Sequence, residues 1–217
     1  TLVIRNVRMP QYIGEYHRLV EGNNSDAKKV RFLQKADIYY QKNIDFTDIP
    51  GLPIAYSASD AVKSIFEVHS TMGRMVKLGQ GLKTGKNNKF VRAWFEVSKK
   101  NTFFDCDGRD KSLISDKKWY PYANGGGPRK WFGYFNDVVN WQYDGSEIRN
   151  FKDKTGKLRS RLQNMRYYFL EGLTWSSISS KGLSARFVPL GTIYGGAGYG
   201  IYETNIDKFY LLGILKT

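Results

Sequence analysis

The sequence predicts a mixed α+β fold in which a strand-rich mixed sheet is flanked by helices. Short runs rich in Val, Ile, Thr, Tyr, Phe and Trp recur along the 217 residues and favour strands. Between these runs, 22 glycines supply frequent turn positions. Apolar residues at helical spacing occur in two early segments and one final segment. A hydrophobic content of 41% is sufficient for the core of one large domain, or of one domain and part of another.

Residues 1–70 predict a small segment of strands and helices with little charge bias. Two strands are expected, over residues 2–7 and 12–20, on either side of a turn. A polar loop then leads to a helix over residues 25–41, where apolar side chains approximate helical spacing.

A proline- and glycine-rich break at residues 49–53 separates this helix from the next one. The second helix is predicted to end at Val68, with Ser57 or Ser59 as its N-cap. The side chains expected to be buried on its apolar face are Ala61, Ile65 and Phe66.

Residues 79–97 are the stretch around which the remaining chain is organised, and they predict a glycine-rich loop that leads into a strand. Gly79, Gly81 and Gly85 permit backbone conformations that other residues avoid, and residues 90–97 favour a strand. The loop also carries lysines, which attract phosphate, and asparagines, which can pair bidentately with the edge of adenine. The composition suits contact with DNA, whereas the spacing alone fits an ordinary surface turn equally well.

The rest of the chain is predicted to alternate short strands with turns and to end in a helix over residues 206–216, capped by Asn205. Residues 195–200 are glycine-rich like the cofactor loop of a methyltransferase. No acidic residue lies in the preceding strand, however, and the segment comes near the end of this sequence, so a hairpin turn is expected. Strands are expected over residues 92–97, 101–105, 138–141, 173–178 and 184–188, with a helical turn over residues 144–151.

The net charge of +14 is unevenly distributed along the chain. Residues 74–131 contain 14 basic against 5 acidic side chains, a net charge of +9. Residues 151–186 contain 8 against 2, a net charge of +6, and the remainder sums to −1. Two basic blocks in an otherwise neutral chain are typical of a protein that binds a polyanion, since lysine and arginine gain affinity by releasing counterions from phosphates.

Two further segments also contain side chains suited to contacts with phosphate. The glycines at residues 125–127 let the backbone approach another surface closely, with Arg129 and Lys130 at their edge. Residues 154–161 are hydrophilic enough either to be a mobile loop that orders on a phosphate backbone or to be a plain solvated loop. The side chains expected to contact DNA are Lys83, Lys86, Asn87, Asn88, Arg92, Arg129, Lys130, Arg159, Arg161, Lys181 and Arg186.

Cysteine and histidine usage gives little support for catalysis or for a metal site. The single cysteine, Cys106, excludes an internal disulfide and favours a reducing cytoplasm, and its acidic neighbours disfavour a thiolate. His17 and His69 are far apart, without zinc-ligand spacing. The acidic loop at residues 105–110 has Arg109 in a position where a calcium loop needs an oxygen ligand. We therefore expect no metal and no catalytic residue in this sequence.

The sequence predicts no membrane partner, because no run approaches the ~18 consecutive apolar residues that a membrane helix needs. It also lacks a signal-peptide pattern at its start. The absence of an initial Met suggests a fragment of a longer chain.

Four segments in order resemble one protein family: GQGLKTGKNNKF (79–90), KWYPYANGGGPRKWFG (118–133), VVNWQYDG (138–145) and LTWSSI (173–178). They are similar to the region that follows the catalytic domain in adenine-specific DNA methyltransferases of the PglX type, from BREX phage-defence systems, which are related to TaqI-like type II methyltransferases. The terminal FYLLGILK (209–216) fits the same pattern.

The resemblance implies that residues 71–217 are a target-recognition domain, which reads duplex DNA, and that residues 1–70 link it to a catalytic domain. It implies S-adenosylmethionine as the cofactor of that separate domain and a prokaryotic cytoplasmic location, with other defence-system proteins as further partners. The catalytic signature, Asn or Asp before Pro-Pro-Tyr or Pro-Pro-Phe, is absent because no two of the six prolines are adjacent. The fragment should therefore not methylate adenine alone.

Two other functions remain open at the level of sequence. Asp105 with Asp116, Lys117 and Lys118 loosely fits the acidic pair and lysine of a metal-dependent nuclease. Alternatively, the basic faces bind a protein of the defence complex or a phage inhibitor. Acidic residues near lysines are common in any charged chain, so the nuclease pattern is weak.

Overall fold

The computed structural model describes residues 3, 6–7, 9, 11–47, 49–178 and 182–215. The chain divides into two compact units, unit 1 from Thr1 to Thr71 and unit 2 from Met72 to Thr217. Helices and three sheets of two to four strands confirm the α+β class. Within the described ranges, no helix has the length and apolar character needed to cross a bilayer.

Unit 1 is built on a two-stranded antiparallel sheet. Its strands are β1 (Ile13–His17) and β2 (Ile38–Lys42), joined through helix α1 (Ser25–Leu33). A 3-10 turn at Asn43–Phe46 follows β2, and helix α2 spans Asp60–Val68.

The predicted helix over residues 25–41 is wrong in its second half. Lys35 and Asp37 have left-handed backbone conformations, with φ of 53° and 51°, and Asp37 forms an ion pair with Arg31. These turn residues end the helix after Leu33. The aromatic residues Tyr39 and Tyr40 then belong to β2, in line with their preference for strands.

Half of the strand predicted over residues 2–7, namely Leu2, Ile4 and Arg5, lies outside the described residues, and the described residues 3, 6 and 7 belong to no strand. The segment after it does form β1, which pairs with β2. Helix α2 is confirmed with Ser59 as its N-cap, whose Oγ accepts from the Val62 N–H at 3.3 Å. The burial predicted for its apolar face is wrong, because Ala61, Ile65 and Phe66 are exposed.

Unit 2 contains two four-stranded sheets, both largely antiparallel. The strands are β3 (Val76–Gly79), β4 (Val91–Ala93), β5 (Trp119–Ala123), β6 (Asp137–Asn140), β7 (Gly172–Ser176), β8 (Arg186–Val188), β9 (Ile193–Tyr194) and β10 (Gly198–Thr204). One sheet has the order β3-β10-β7-β8 and the other β4-β6-β5-β9, with β5 and β9 parallel.

Short helices surround these sheets. They are α3 (Met72–Met75), α4 (Asn87–Phe90), α5 (Arg109–Ile114), α6 (Gln142–Arg149) and α7 (Lys208–Ile214), with 3-10 turns at Trp94–Glu96, Lys99–Asn101 and Met165–Tyr167. The larger core cluster includes Phe90, Tyr120, Val139, Trp141 and Phe169 around the second sheet. A smaller one packs Leu211 and Leu212 of α7 against Val76, Leu173 and Ile201 of the first sheet.

Several predicted elements of unit 2 are confirmed. Strands β6, β7 and β8 lie within or close to the predicted ranges 138–141, 173–178 and 184–188, and α6 covers most of the predicted helical turn. The final helix is also present, but its N-cap is Asp207 rather than Asn205. The Asp207 carboxylate accepts from the backbone N–H groups of Phe209 and Tyr210 at 2.9 and 2.8 Å.

Other predicted elements of unit 2 are wrong. The strand over residues 90–97 is reduced to β4, because the Glu96 carboxylate accepts from the Ala93 N–H at 2.7 Å and closes a 3-10 turn. Residues 101–105 contain only one isolated bridge, between Thr102 and Trp119. The hairpin turn predicted over residues 195–200 is wrong, because residues 195–197 connect β9 in one sheet with β10 in the other, and residues 198–200 already belong to β10.

Candidate nucleic-acid interface

Segments that are distant in the sequence meet at one open cleft of about 370 Å³ in unit 2, which we call the basic cleft. It lies where the chain crosses between the two sheets, after β3 and between β9 and β10. The lining residues are Leu82, Lys83, Thr84, Gly85, Lys86, Asn87, Tyr122, Asn124, Gly196 and Ala197.

Backbone hydrogen bonds hold the floor of the basic cleft together. The Leu82 N–H donates to the Tyr194 carbonyl at 2.7 Å, and the Gly196 N–H donates to the Leu82 carbonyl at 2.8 Å. Tyr122 adds its hydroxyl to the same Leu82 carbonyl at 2.8 Å. Gly81 permits this approach, because a Cβ there would lie 1.9 Å from the Tyr194 carbonyl oxygen.

The two basic blocks meet at the rim of the basic cleft. Lys83 and Arg161 form an antiparallel bridge, with N–H to carbonyl distances of 2.9 and 2.8 Å in the two directions. Beside it, Gly85 has a left-handed φ of 77° and packs against the backbone of Arg159. The structure therefore brings Lys83, Lys86, Arg159 and Arg161 onto one surface, and all four are exposed.

The segment around Arg159 is a hydrogen-bonded turn. Lys152 and Leu158 form a bridge, and the Asp153 carboxylate accepts from the backbone N–H groups of Thr155 and Lys157 at 2.9 and 3.1 Å. The pKa of Asp153 is lowered, mainly by a hydrogen bond from the Thr155 hydroxyl. The two backbone hydrogen bonds lower it further. These hydrogen bonds stabilise the turn that leads to Arg159 and Arg161.

Asn87 belongs to a chain of polar contacts at the basic cleft. Its side-chain oxygen accepts from the Thr84 hydroxyl at 2.6 Å, and its amide donates to Asn124 at 3.4 Å. Asn124 in turn donates to Asp137 at 3.0 Å. This chain orients the Asn87 amide on α4, where it is exposed.

Asn88 is also exposed on α4, whereas Arg92 is half-buried and turned back onto the backbone. The Arg92 guanidinium donates from one nitrogen to the carbonyls of Asn88 and Val91, at 2.8 and 2.7 Å. Arg92 therefore stabilises the end of α4 and has less capacity for an external ligand than the lysines of the basic cleft.

A second basic group lies on the loop between β5 and β6. Arg129 and Lys130 are exposed there, and the Arg129 guanidinium lies 5.3 Å from the centre of the Tyr134 ring. Lys181 lies outside the described residues.

Arg186 corrects the sequence-based expectation of a surface contact, because it is only 1% exposed. Its guanidinium donates to the Ser176 hydroxyl at 3.3 Å and to the Ser184 carbonyl at 3.4 Å, and lies 5.3 Å from the Tyr134 ring centre. Burial lowers the pKa of Arg186. In this structure Arg186 supports the loop that carries Arg129.

Ion pairs determine which cations remain available to a partner. Asp144 forms ion pairs with both Arg109 and Arg149, so these two guanidinium groups are engaged within the fold. Arg159 has only a 4.0 Å contact with Asp153. In the described part of the chain, no acidic side chain forms an ion pair with Lys83, Lys86, Arg129, Lys130 or Arg161.

The remaining candidates for chemistry are Cys106 and the acidic residues of the nuclease pattern. Cys106 is fully buried, and burial raises the pKa of its thiol. Asp116, proposed for a nuclease, lies 3.6 Å from the ammonium of Lys117. Among the residues that the structure describes, no group of three or more His, Cys, Asp and Glu side chains is placed to hold a metal ion.

The glycine-rich segment at residues 195–200 does not fit the S-adenosylmethionine loop of a methyltransferase. The glycine-rich segment at residues 195–200 leads from strand to strand rather than from strand to helix, so it offers no helix N-terminus to a cofactor. Gly196 also packs directly against the side chain of Lys83.

Sequence reasoning missed several residues of this surface. Thr84 and Tyr122 are buried and support the basic cleft from below, and Asn124 links it to β6. Tyr134 lies beside both Arg129 and Arg186. One pattern in the sequence could have identified two of these residues, because Asn124 and Tyr134 lie on either side of the glycine-rich segment that contains Arg129 and Lys130.

The geometry as a whole describes a basic α+β module with a polar surface suited to a polyanion. No protein-family model matches the chain. Two curated proteins are similar to it. One is the adenine-specific methyltransferase PglX of Lacticaseibacillus casei (strain Zhang), 34% identical over 213 residues, covering 94% of this chain and 17% of that protein. The other is the adenine-specific methyltransferase BrxX of Escherichia coli O9:H4 (strain HS), 36% identical over 218 aligned residues, covering 98% of this chain and 16% of that protein.

The chain belongs to the family of PglX-type adenine-specific methyltransferases, and the resemblance inferred from its four segments is confirmed. It spans about one sixth of the length of the curated relatives it matches.

Proposed function

We propose that unit 2 is the DNA-recognition part of a site-specific adenine methyltransferase of a BREX phage-defence system. It binds duplex DNA and positions the target adenine for a catalytic domain elsewhere in the parent chain. That domain uses S-adenosylmethionine, and unit 1 links the two. The parent acts in the prokaryotic cytoplasm, with other defence-system proteins as further partners.

The observation that carries this proposal is the backbone bridge between Lys83 and Arg161. It brings one residue from each basic block, 78 positions apart in the sequence, to the rim of one cleft. Exposed cations on a fixed backbone suit phosphate contacts, which supply much of the affinity for DNA. The exposed amides of Asn87 and Asn88 lie beside them, and such amides read adenine in the major groove.

The test is a titration of the 217-residue chain on random duplex DNA at several salt concentrations. The wild type is compared with Lys83→Ala/Arg161→Ala and with Arg129→Ala/Lys130→Ala. Because Lys83 and Arg161 pair through their backbones, alanine at these positions leaves the bridge in place. If each double variant loses two phosphate contacts, the slope of log K against log salt decreases in magnitude by about 2.

The matched control is Lys99→Ala/Lys100→Ala, which removes the same charge from exposed positions on a 3-10 turn. This variant should retain the wild-type slope. Equal losses in all three variants would show a general charge effect, and absence of salt-dependent binding would contradict DNA recognition by this chain. In the latter case, the basic surfaces would be better explained by a protein partner.

A further inference from the structure

The chain of hydrogen bonds at the basic cleft runs from a backbone donor to a carboxylate. The Lys86 N–H donates to the Thr84 hydroxyl oxygen at 3.2 Å, and this hydroxyl donates to the Asn87 side chain at 2.6 Å. The Asn87 amide donates to Asn124, which donates to Asp137, at 3.4 and 3.0 Å. Thr84, Asn87 and Asn124 therefore each have a hydrogen-bonding partner on either side.

The two ends of this chain fix the direction of every hydrogen bond in it. The Lys86 N–H can only donate, so the Thr84 oxygen accepts and its proton is directed to Asn87. The Asp137 carboxylate can only accept, so Asn124 turns its NH2 group toward Asp137 and its oxygen toward Asn87. If the Asn87 amide were turned over, its oxygen would face the oxygen of Asn124 with no proton between them.

Regular secondary structure carries the side chains at both ends of the chain. Asn87 is the first residue of α4, whose last residue, Phe90, is fully buried in the larger core cluster. Asp137 is the first residue of β6, which pairs with β4 on one side and with β5 on the other. Asn124 directly follows β5. The Asn87 amide is therefore held in one orientation by groups on rigid elements, although Asn87 is exposed.

Asn88 differs from Asn87 in this respect. It is also exposed on α4, but among the described residues no side-chain hydrogen bond holds its amide. A free amide can turn over and exchange its donor with its acceptor, and it loses side-chain freedom when it binds. Of the two asparagines, Asn87 is therefore the better suited to distinguish one base from another.

An amide in a fixed orientation matches one order of donor and acceptor. An amide oxygen accepts two hydrogen bonds and an NH2 group donates two, so Asn87 retains one acceptor and one donor for an external partner. In the major groove, adenine presents an acceptor beside a donor, whereas guanine presents two acceptors. The fixed amide can satisfy both groups of adenine, but its oxygen would face an oxygen of guanine.

We propose that Asn87 recognises one adenine of the duplex through hydrogen bonds to its major-groove edge, and that Asn124 and Asp137 are positioning residues that set the direction of its amide. This inference rests on the proposed DNA-binding function. The adenine stays paired, because it is read through its edge, and it is distinct from the base that is methylated. Lys83 and Lys86, exposed in the same cleft, contact the adjacent phosphates.

The test is the selection of duplexes by the 217-residue chain from a library with a randomised segment, followed by sequencing of the bound fraction. The wild type should enrich a sequence with a position at which adenine is preferred over guanine by at least about five-fold, as expected of one bidentate contact. Asn87→Ala should lower the preference at this position to less than about two-fold and leave the other enriched positions unchanged.

Asp137→Asn tests the positioning role. This variant keeps the shape of the carboxylate but lets the end of the chain donate as well as accept. The amides of Asn124 and Asn87 can then turn over together, so the adenine preference should fall between the values of the wild type and Asn87→Ala. A residue that acted only on stability would weaken binding to all sequences equally.

Asn101→Ala is the matched control, because Asn101 is exposed on a 3-10 turn and is not among the residues that line the basic cleft. It should retain the wild-type sequence preference, and circular dichroism checks that each variant is folded.

Three outcomes would overturn the assignment of Asn87 while leaving DNA binding intact. They are an unchanged adenine preference in Asn87→Ala, a loss of this preference in Asn88→Ala instead, and salt-dependent binding without any base preference. A full wild-type preference in Asp137→Asn would overturn the positioning role. Absence of salt-dependent DNA binding would overturn both this inference and the proposed function.

Discussion

Gly81 determines how closely two backbone segments approach at the basic cleft. A Cβ at this position would lie 1.9 Å from the carbonyl oxygen of Tyr194, and that oxygen is held by the Leu82 N–H. Neither partner is a flexible side-chain end, so the contact cannot relax without moving the backbone. Replacing a hydrogen atom of Gly81 with a methyl group would therefore disturb the backbone segment that carries Lys83.

Gly81→Ala should lower the free energy of unfolding by at least about 2 kcal/mol, because overpacking against backbone forces a local shift. Urea denaturation followed by fluorescence measures the change. The control is Gly213→Ala in α7, where a Cβ meets no atom within 4 Å and helix propensity favours alanine by up to about 1 kcal/mol. If Gly81→Ala is as stable as the wild type, the close approach of Gly81 to the Tyr194 carbonyl is not required for stability.

The side chain of Asp144, in α6, connects α6 to α5 by binding arginine side chains of both helices. Arg109 donates to its two carboxylate oxygens at 2.9 and 2.6 Å, and Arg149 donates both to the carboxylate and, at 2.7 Å, to the Asp144 carbonyl. The carboxylate is the largest cause of the raised pKa of Arg109. Asp144 itself has a left-handed φ of 57°, next to Tyr143 and Gly145 in the same region. The charged contacts thus stabilise an unusual start of α6.

Asp144→Ala should destabilise unit 2 by about 2 kcal/mol, since it removes hydrogen bonds between charged groups from a largely buried carboxylate. Because the side chains of Arg109 and Arg149 are partly exposed to water, the expected loss in the free energy of unfolding is no larger than this. Asp116→Ala is the control, because its carboxylate is 88% exposed and its ion pair with Lys117 should contribute less than about 1 kcal/mol. Thermal unfolding of both variants under one buffer condition gives the comparison, and equal midpoints would argue against a structural role for Asp144.

At the scale of the whole molecule, the apolar core is concentrated in unit 2. Among the described residues, only Phe46 and Ile49 are buried apolar side chains of unit 1, whereas unit 2 has the three core clusters. The cations proposed to contact DNA also belong to unit 2. Stability and polyanion binding are therefore expected to depend on residues 72–217.

A chain of residues 72–217 alone should fold and should retain the salt-dependent DNA binding of the full sequence. The reason is that its core clusters contain only residues of unit 2. Circular dichroism and the salt titration, each run beside the 217-residue chain, measure both properties. A truncated chain that is unfolded would show that unit 1 is needed for the stability of unit 2, and a folded chain without binding would assign the DNA contacts to unit 1.

The sequence was sufficient to predict elements that depend on residues close together in the chain. Strands β6, β7 and β8 and the Ser59 cap of α2 follow from residue preferences within a few positions, because strand propensity and capping act locally. The helix over residues 25–41 failed where left-handed turn residues intervened, and the hairpin at residues 195–200 failed because the strand partners of β10 are distant in sequence. The burial expected for α2 failed because periodicity identifies an apolar face but not its partner.

By itself, the sequence determined the α+β class, the two basic blocks and the four segments that place the chain in its methyltransferase family, since composition and linear motifs are carried by the chain directly. Only the tertiary structure decided which cations are available. It paired Lys83 with Arg161 across the two blocks, buried Arg186 beneath the β5–β6 loop and engaged Arg109 and Arg149 on Asp144. The physical reason is that burial and ion pairing depend on contacts between residues far apart in sequence, which no local pattern specifies.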